Sequence, residues 1–344
     1  MRFKLWLRSW FASIFSAHSS RRVKKTVDTE RDLSGFNGEA VVEKAVVAPL
    51  PVAPPSVETL PVAPPLVETP PIETPPVAPL DISRLKAASV VALSDINGED
   101  DIIIAVMGAT GVGKTSFINA LAPDEEWLKK GVGHDLSSGT QTVNCIKMKI
   151  SGTQSHLVLV DTPGFDDPAR SNADILTVIG AWLKESYATK KKLNGIVYLH
   201  RITDIRFDSG ASTTLALFQK ICGGDIMGKV CLTTTRWNDV PPQWKHEYEE
   251  KEEQLKKGHW AIFLAKKSVT SRFDSSTDET AKDTALKTLK TLVDHAKSRF
   301  VAQMQYELVD KKLPVYKTTA GKHAFSFEEK MTAQLFQLSN ALSS

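Results

Sequence analysis

The sequence predicts an α/β protein built on a mostly parallel sheet with helices on both faces, and three observations predict it. From Asp81 onwards, apolar runs of strand length alternate with amphipathic stretches of helix length, the pattern of strand–helix–strand units. The glycine-rich run Gly108-Ala109-Thr110-Gly111-Val112-Gly113-Lys114-Thr115 stands directly between one such strand and one such helix. A further apolar strand runs into Asp161-Thr162-Pro163-Gly164, which puts an acid at a strand end, where sheets of this kind bind their ligands.

The elements follow in order. Residues 1–25 carry Arg2, Lys4, Arg8, Arg21, Arg22, Lys24 and Lys25 and no acid, while Phe3, Trp6, Leu7, Trp10, Phe11, Ile14 and Phe15 recur at helical spacing. That pattern describes a basic amphipathic helix, either lying in a membrane interface or serving as a mitochondrial presequence. Residues 26–98 read as a disordered linker. Its proline-rich part, 45–80, repeats PVAPPSVET and PVAPPLVET, which favours an extended polyproline spacer over helix or sheet. The globular domain is expected over 99–300, with strands at Ile102 to Met107, Val143 to Ile150, His156 to Val160, Gly195 to His200, Lys229 to Thr234 and Trp260 to Ala265. Helices are expected at Lys114 to Leu121 and around Ile175 to Tyr187, Thr213 to Ile221, Trp244 to Lys257 and Glu279 to Phe300. Residues 301–344 are expected to form a helical extension, with Phe325, Phe327, Met331, Leu335 and Leu338 as a loose stripe suited to packing.

Composition sets limits on function. The 43 basic and 40 acidic residues nearly cancel, so overall charge gives no case for a nucleic-acid partner. Cys145, Cys222 and Cys231 are too few and too far apart for a disulfide framework or a zinc site, and fit reduced thiols in a cytosol-like compartment. No apolar run reaches the roughly 20 residues that span a bilayer.

The run from Gly108 to Thr115 satisfies G-x-x-x-x-G-K-[ST] in full, and its place after a strand and before a helix is what phosphate binding needs. Gly108 and Gly113 let the backbone bend, the amides from Gly111 through Val112 to Thr115 and Ser116 surround the phosphates, and Lys114 reaches the β and γ phosphates. Thr115 offers a hydroxyl to Mg²⁺, Asp161 is the expected acidic partner of that ion, and Gly164 offers an amide to the γ phosphate. Between them lies the polar stretch Gly133 to Thr142, in which Thr140 is the expected third Mg²⁺ ligand and Thr142 the reserve.

The order GATGVGKT, SSGT, DTPG, TTRW resembles GTPases of the septin-like and immunity-associated (paraseptin) branch, over roughly Asp101 to Gly321. The closest likeness is to uncharacterised fungal G-domain proteins, through GIVYLHRITDIRFDSGA, LFQKICG and YELVDKKLPVYKTTAG. The resemblance implies a P-loop NTPase fold that binds GTP or GDP with Mg²⁺, a sensor at Thr140, and a homodimer across the nucleotide in which His134 or Arg201 acts in trans. Guanine reading in such proteins follows [NT]-K-x-D, and the matching stretch here is Thr235-Arg236-Trp237-Asn238. An amide stands where the carboxylate is expected and offers one acceptor oxygen where a carboxylate offers two, which weakens guanine preference unless the neighbouring Asp239 takes over; Trp237 is a candidate for stacking on the base. Lys266 to Ser268 is the candidate for the last base-contacting loop.

Hydrolysis should be slow, because Phe165 occupies the position from which a glutamine often orients water. His134, Asp166 and Asp167 are the candidate substitutes. The expected function is a slow GTPase switch, cytoplasmic or peripheral on a membrane through residues 1–25, with a mitochondrial location as the alternative. The competing expectations are a nucleotide-bound scaffold that hardly turns over and an ATP-using P-loop enzyme, the latter favoured by Asn238.

Overall fold

The structure is a computed structural model that describes Ile82 and residues 85–122, 142–204, 209–296 and 298–341. The chain divides into two compact units, 1–72 and 73–344, and every described residue lies in the second. The expected N-terminal helix, the proline-rich linker and the stretch 133–141 therefore lie outside the described residues.

A seven-stranded sheet forms the centre: β1 (Leu85–Val91), β2 (Ile102–Gly108), β3 (Asn144–Ile150), β4 (His156–Asp161), β5 (Gly195–Arg201), β6 (Val230–Thr235) and β7 (Val269–Arg272), in the order β1-β3-β4-β2-β5-β6-β7. From β4 to β7 across the sheet the strands run parallel; β3 and β1 add on antiparallel at one edge. The apolar run of β2 fits its place, because both faces are covered. Ile103, Ala105 and Met107 join one core cluster while Ile104 and Val106 join the other.

The first cluster is closed by α2 (Asn172–Ala188), α3 (Ser209–Cys222), α5 (Ala261–Ala265), α7 (Gln303–Val309) and α8 (Thr319–Ala324); α4 (Lys245–Lys257) contributes Leu255. The second is closed by α1 (Lys114–Asn119) and α6 (Asp278–His295). Helix α2 starts where Ser171 Oγ accepts from Asp174 N, and it buries Leu176, Ile179, Gly180 and Leu183, a stripe at helical spacing. Helix α6 is capped in the same way by Thr277, which accepts from Thr280 N. A last helix, α9 (Phe327–Ala341), leaves Phe327, Met331, Leu335, Phe336 and Leu338 exposed.

Four expectations are corrected. Residues 85–91 are a sheet strand, where a linker was expected through residue 98; LKAASVV has no clean alternation because β1 is an edge strand with a register shift and an exposed Val90. Trp260 to Ala265 is not a strand: Trp260 and Phe263, three residues apart, are both fully buried on one side of a helical turn, and the strand is Val269–Arg272. Helix α6 ends at His295, and Phe300 instead bridges back to Leu193. The chain past Phe300 is helical, yet Ala302, Met304, Leu308 and Ala320 belong to the first core cluster, so α7 and α8 are part of the domain's own layer.

Topology places the ligand crevice. After β2 the chain moves to β3 and β4 on one side of it, then crosses through α2 to β5 on the other. The order reverses at the C-terminal end of β2, and that is where Gly108 leads into the glycine-rich loop.

Candidate functional site

The loop after β2 turns at Gly113, whose φ of +95° is left-handed backbone that glycine adopts without strain, and α1 begins at Lys114. Lys114 lies across the loop: its Nζ donates to the carbonyls of Ala109 at 2.8 Å and Gly108 at 3.4 Å. Burial pulls its ammonium down from 10.5 to about 8, against the opposing charges of Asp161 and Asp167. Ser116 sits half-buried in the first turn of α1, Val112 is buried, and Gly111 is exposed at the tip of the loop.

The turn after β4 is laced to this loop along its length. Thr110 N donates to Phe165 O at 2.7 Å and Phe165 N donates to Gly108 O at 3.2 Å, while Thr162 Oγ1 donates to Val106 O at 2.8 Å. Gly164 lies so close that a Cβ there would sit 2.6 Å from the backbone N and Cα of Thr110. Thr110 Oγ1 completes the seam, donating to Gly164 O at 3.1 Å and Asp167 Oδ2 at 3.3 Å.

Thr115 and Asp161 meet within the seam, with Thr115 Oγ1 donating to Asp161 Oδ2 at 3.3 Å. A hydroxyl and a carboxylate side by side, both hard oxygen donors next to a phosphate-binding loop, suit Mg²⁺, which takes few protein ligands and fills the rest of its shell from phosphate and water. Thr140, the expected third ligand, lies outside the described residues with His134; Thr142 is exposed just before β3.

The candidate catalytic positions separate. Phe165 is fully buried in the first core cluster, so its ring faces the interior and not the phosphate loop. Asp166 is exposed, with left-handed backbone (φ 57°); its N–H donates to Asn172 Oδ1 at 2.9 Å, and its carboxylate lies against Gly210. Asp166 thus points away from the loop and Asp167 points towards it. Arg201, at the end of β5, pairs with Asp204 at 2.9 Å, and its guanidinium passes beside Gly111. Thr110 was missed by sequence reasoning, because its role depends on a contact with a turn far along the chain.

A second group of side chains stands at the ends of β6 and β7. Thr235 Oγ1 donates to Val112 O at 2.8 Å, and Arg236 NH2 donates to Gly111 O at 3.3 Å, so the end of β6 is tied to the phosphate loop. Asn238 and Asp239 are exposed on the turn that follows. Asn238 Nδ2 donates to Asp239 Oδ1 at 2.8 Å, and Arg236 NH1 lies 3.7 Å from Asp239 Oδ2. Asn238 Oδ1 accepts from Ser275 Oγ at 3.1 Å, which brings in the loop after β7.

That contact corrects the last base-contacting loop. Lys266 to Ser268 enters β7 at its N-terminal end, the far edge of a parallel sheet, and Ser268 Oγ donates to Met227 O there. The loop on the crevice side is Phe273 to Thr277, and the error follows from taking α5 for the strand. Trp237 is corrected too. It is buried, its Nε1 donates to Thr234 Oγ1 at 3.0 Å, and Arg272 Cζ lies 4.2 Å over its ring, so it is not placed to stack on a base.

A family model described as RsgA GTPase matches residues 81–170, the span from the first strand through the phosphate loop to Gly164 and beyond. None of the curated proteins is a match. Among solved structures, the chain is similar to Toc33 from Arabidopsis thaliana in complex with GDP and Mg²⁺, at 17% identity over 59% of this chain and 88% of that one, with a TM-score of 0.45. It is also similar to Era from Aquifex aeolicus bound to GDP and aluminium fluoride, at 16% identity over 57% of each chain and a TM-score of 0.40. The strand order, the loop after β2 and the matched family model together give the fold of a P-loop GTPase.

Proposed function

We propose that this chain binds GTP with Mg²⁺ at the loop Gly108 to Thr115 and works as a slow GTPase switch held at a membrane by residues 1–25. The observation that carries the reading is the pairing of two half-sites across one loop. Lys114, Thr115 and Asp161 form a phosphate-and-Mg²⁺ half, and Val112 and Gly111 connect it directly to Thr235, Arg236 and the Asn238–Asp239–Ser275 group.

Each residue has a task in this reading. Lys114 neutralises the β and γ phosphates, and Thr115 and Asp161 hold the metal, which supplies charge stabilisation to the phosphoryl oxygens when bound. Asp239 reads the guanine N1 and amino group in place of the usual carboxylate, and Asn238 orients it from one side while Ser275 fixes Asn238 from the other. The Thr110–Gly164–Asp167 seam is the part of the described structure that a γ phosphate would displace, which makes it the element that reports nucleotide state. The order of motifs supports a place in the septin-like branch. Residues 1–25, with aromatic and cationic residues and no acid, support attachment to an anionic membrane from the cytoplasmic side; a mitochondrial presequence is the other reading of the same residues.

A second reading is a scaffold that keeps its nucleotide. It is favoured by Phe165, whose burial removes position 165 as a source of a water-orienting group. Turnover that rises with protein concentration supports the switch, with a second copy completing the site; nucleotide retained through purification with no turnover supports the scaffold.

The experiment is calorimetry of GTP and ATP, each with Mg²⁺, on the full chain and on Asp239→Ala. GTP preferred by a hundredfold or more, about 2.7 kcal/mol, with the preference lost in the variant, supports the reading; equal affinities in the wild type refute guanine recognition and leave an ATP-binding P-loop protein. Co-sedimentation with anionic vesicles that survives deletion of residues 1–25 would refute the tether.

A further inference from the structure

The exposed group Asn238–Asp239 rests on a buried acid. Glu252 of α4 is 2% exposed. Its Oε1 accepts from Thr234 Oγ1 at 2.6 Å, and its Oε2 accepts from Arg272 NH2 at 2.7 Å, Arg272 Nε at 3.0 Å and Lys256 Nζ at 3.1 Å. Burial alone would raise the Glu252 carboxyl, but these hydrogen bonds and the Arg272 and Lys256 charges hold it below the usual carboxylate range, so it is an anion in the fold.

Arg272 is the last residue of β7 and faces two ways. It grips Glu252 through two nitrogens and Glu249 through a third at 3.2 Å, while its Cζ lies over the Trp237 ring 4.2 Å from the centroid. The other tie on Trp237 is the Nε1 bond to Thr234 Oγ1, and that hydroxyl is itself oriented by Glu252. Trp237 therefore has its ring and its N–H both fixed by one ion pair, and it immediately precedes Asn238.

The same pair reaches the second loop. Phe273 follows Arg272, donates its N–H to Thr234 O at 2.8 Å, and packs edge-on against Phe117 of α1 at 5.2 Å; two residues later Ser275 bonds Asn238. A buried ion pair is weak evidence of a stabilising role, since apolar residues of similar volume often do as well. What this pair adds is orientation: a two-nitrogen grip on Glu252 and a cation over the Trp237 ring tie together the loops on either side.

We infer that Glu252 and Arg272 are positioning residues for nucleobase selection, which act through Trp237 and Thr234 to hold Asn238–Asp239 and Ser275 in one fixed relation. The inference rests on the proposal that the site reads guanine. Neither residue touches the phosphate half, so loss of the pair should cost base preference and spare triphosphate affinity.

The test uses the full chain, with GTP and ATP competing against a fluorescent GTP analogue in Mg²⁺, alongside thermal melts. Arg272→Lys keeps the charge but loses the two-nitrogen grip on Glu252 and the guanidinium over Trp237; GTP should weaken by about tenfold and ATP by less than about twofold. Trp237→Phe keeps a buried ring and removes only the Nε1 bond, and should cost about threefold in GTP alone. A folded Arg272→Lys that keeps its GTP-to-ATP preference, or weakens both nucleotides equally, overturns the inference. Should Arg272→Lys fail to fold, Trp237→Phe decides by the same criterion. A wild type that prefers GTP with variants that prefer it equally sinks this inference alone, whereas a wild type with no preference sinks guanine reading as well.

Discussion

If Lys114 binds the phosphates as proposed, it should link nucleotide binding to a proton. Lys114 is 7% exposed, and burial brings its ammonium down from 10.5 to about 8 although Asp161 and Asp167 oppose the shift. A polyphosphate adds negative charge at the same nitrogen, so binding favours the charged lysine and takes up a proton wherever the free protein has lost it. With the value at about 8, roughly a tenth of the lysine is neutral at pH 7, half at pH 8 and nine-tenths at pH 9, so affinity should fall about tenfold between pH 7 and pH 9. Folding has the opposite dependence. Below pH 8 the lysine is charged in both folded and unfolded chains; between about 8 and 10.5 the unfolded chain keeps a proton that the fold has released, so stability rises with pH across that window, by roughly 3 kcal/mol at most. Calorimetry in two buffers of different ionisation enthalpy measures the uptake directly. Lys114→Arg, which stays charged, serves as the control that subtracts the ligand's own titration. The reasoning is refuted if the wild type takes up no more protons than Lys114→Arg at pH 9.

Two further outcomes follow from the seam beside the loop. Gly164→Ala places a Cβ 2.6 Å from backbone atoms of Thr110 that are already bonded to Phe165, so the loop must shift; triphosphate affinity should drop by about tenfold or more and the melting temperature should fall, and unchanged affinity in a titration would show that the seam does not shape the site. Phe165→Gln should not speed hydrolysis, because the side chain faces the core; denaturant unfolding should show a loss of about 3–5 kcal/mol, and faster turnover in a phosphate-release assay would contradict the placement.

The phosphate half was legible because its requirements are local. A left-handed turn at Gly113 and a lysine opening the helix that follows a strand are written in adjacent residues, and the apolar run of β2 announces burial on both faces; the seam from Thr110 to Gly164 is not local and was missed. The base half was legible only in part. WAIFLA is short enough to be a strand or a helical turn, and what decides it, the shared burial of Trp260 and Phe263, is a tertiary fact. That choice moved the expected loop from Phe273–Thr277 to Lys266–Ser268, from the crevice edge to the opposite one. Trp237 was offered as a base-stacking ring because nothing near it in sequence covers it; its cover, Arg272, arrives from β7.

This difference in legibility reflects a difference in construction, and it predicts where sequence change will be felt. The phosphate half is tied by main-chain bonds among Gly108, Thr110 and Phe165, so a change that displaces this backbone is expected to weaken triphosphate binding whatever the base. The group proposed to read the base is held by side chains from β6, α4 and β7, each with its own partner, and single replacements there are expected to alter preference while the phosphates stay bound. On the proposed reading, Asn238 is such a replacement. Its amide lies on Asp239 and its carbonyl on Ser275, and in that reading it braces the acid one residue further on. A proposed base site assembled from separable side chains is free to place its carboxylate one residue on, whereas Lys114 is fixed by the turn at Gly113 that starts its helix.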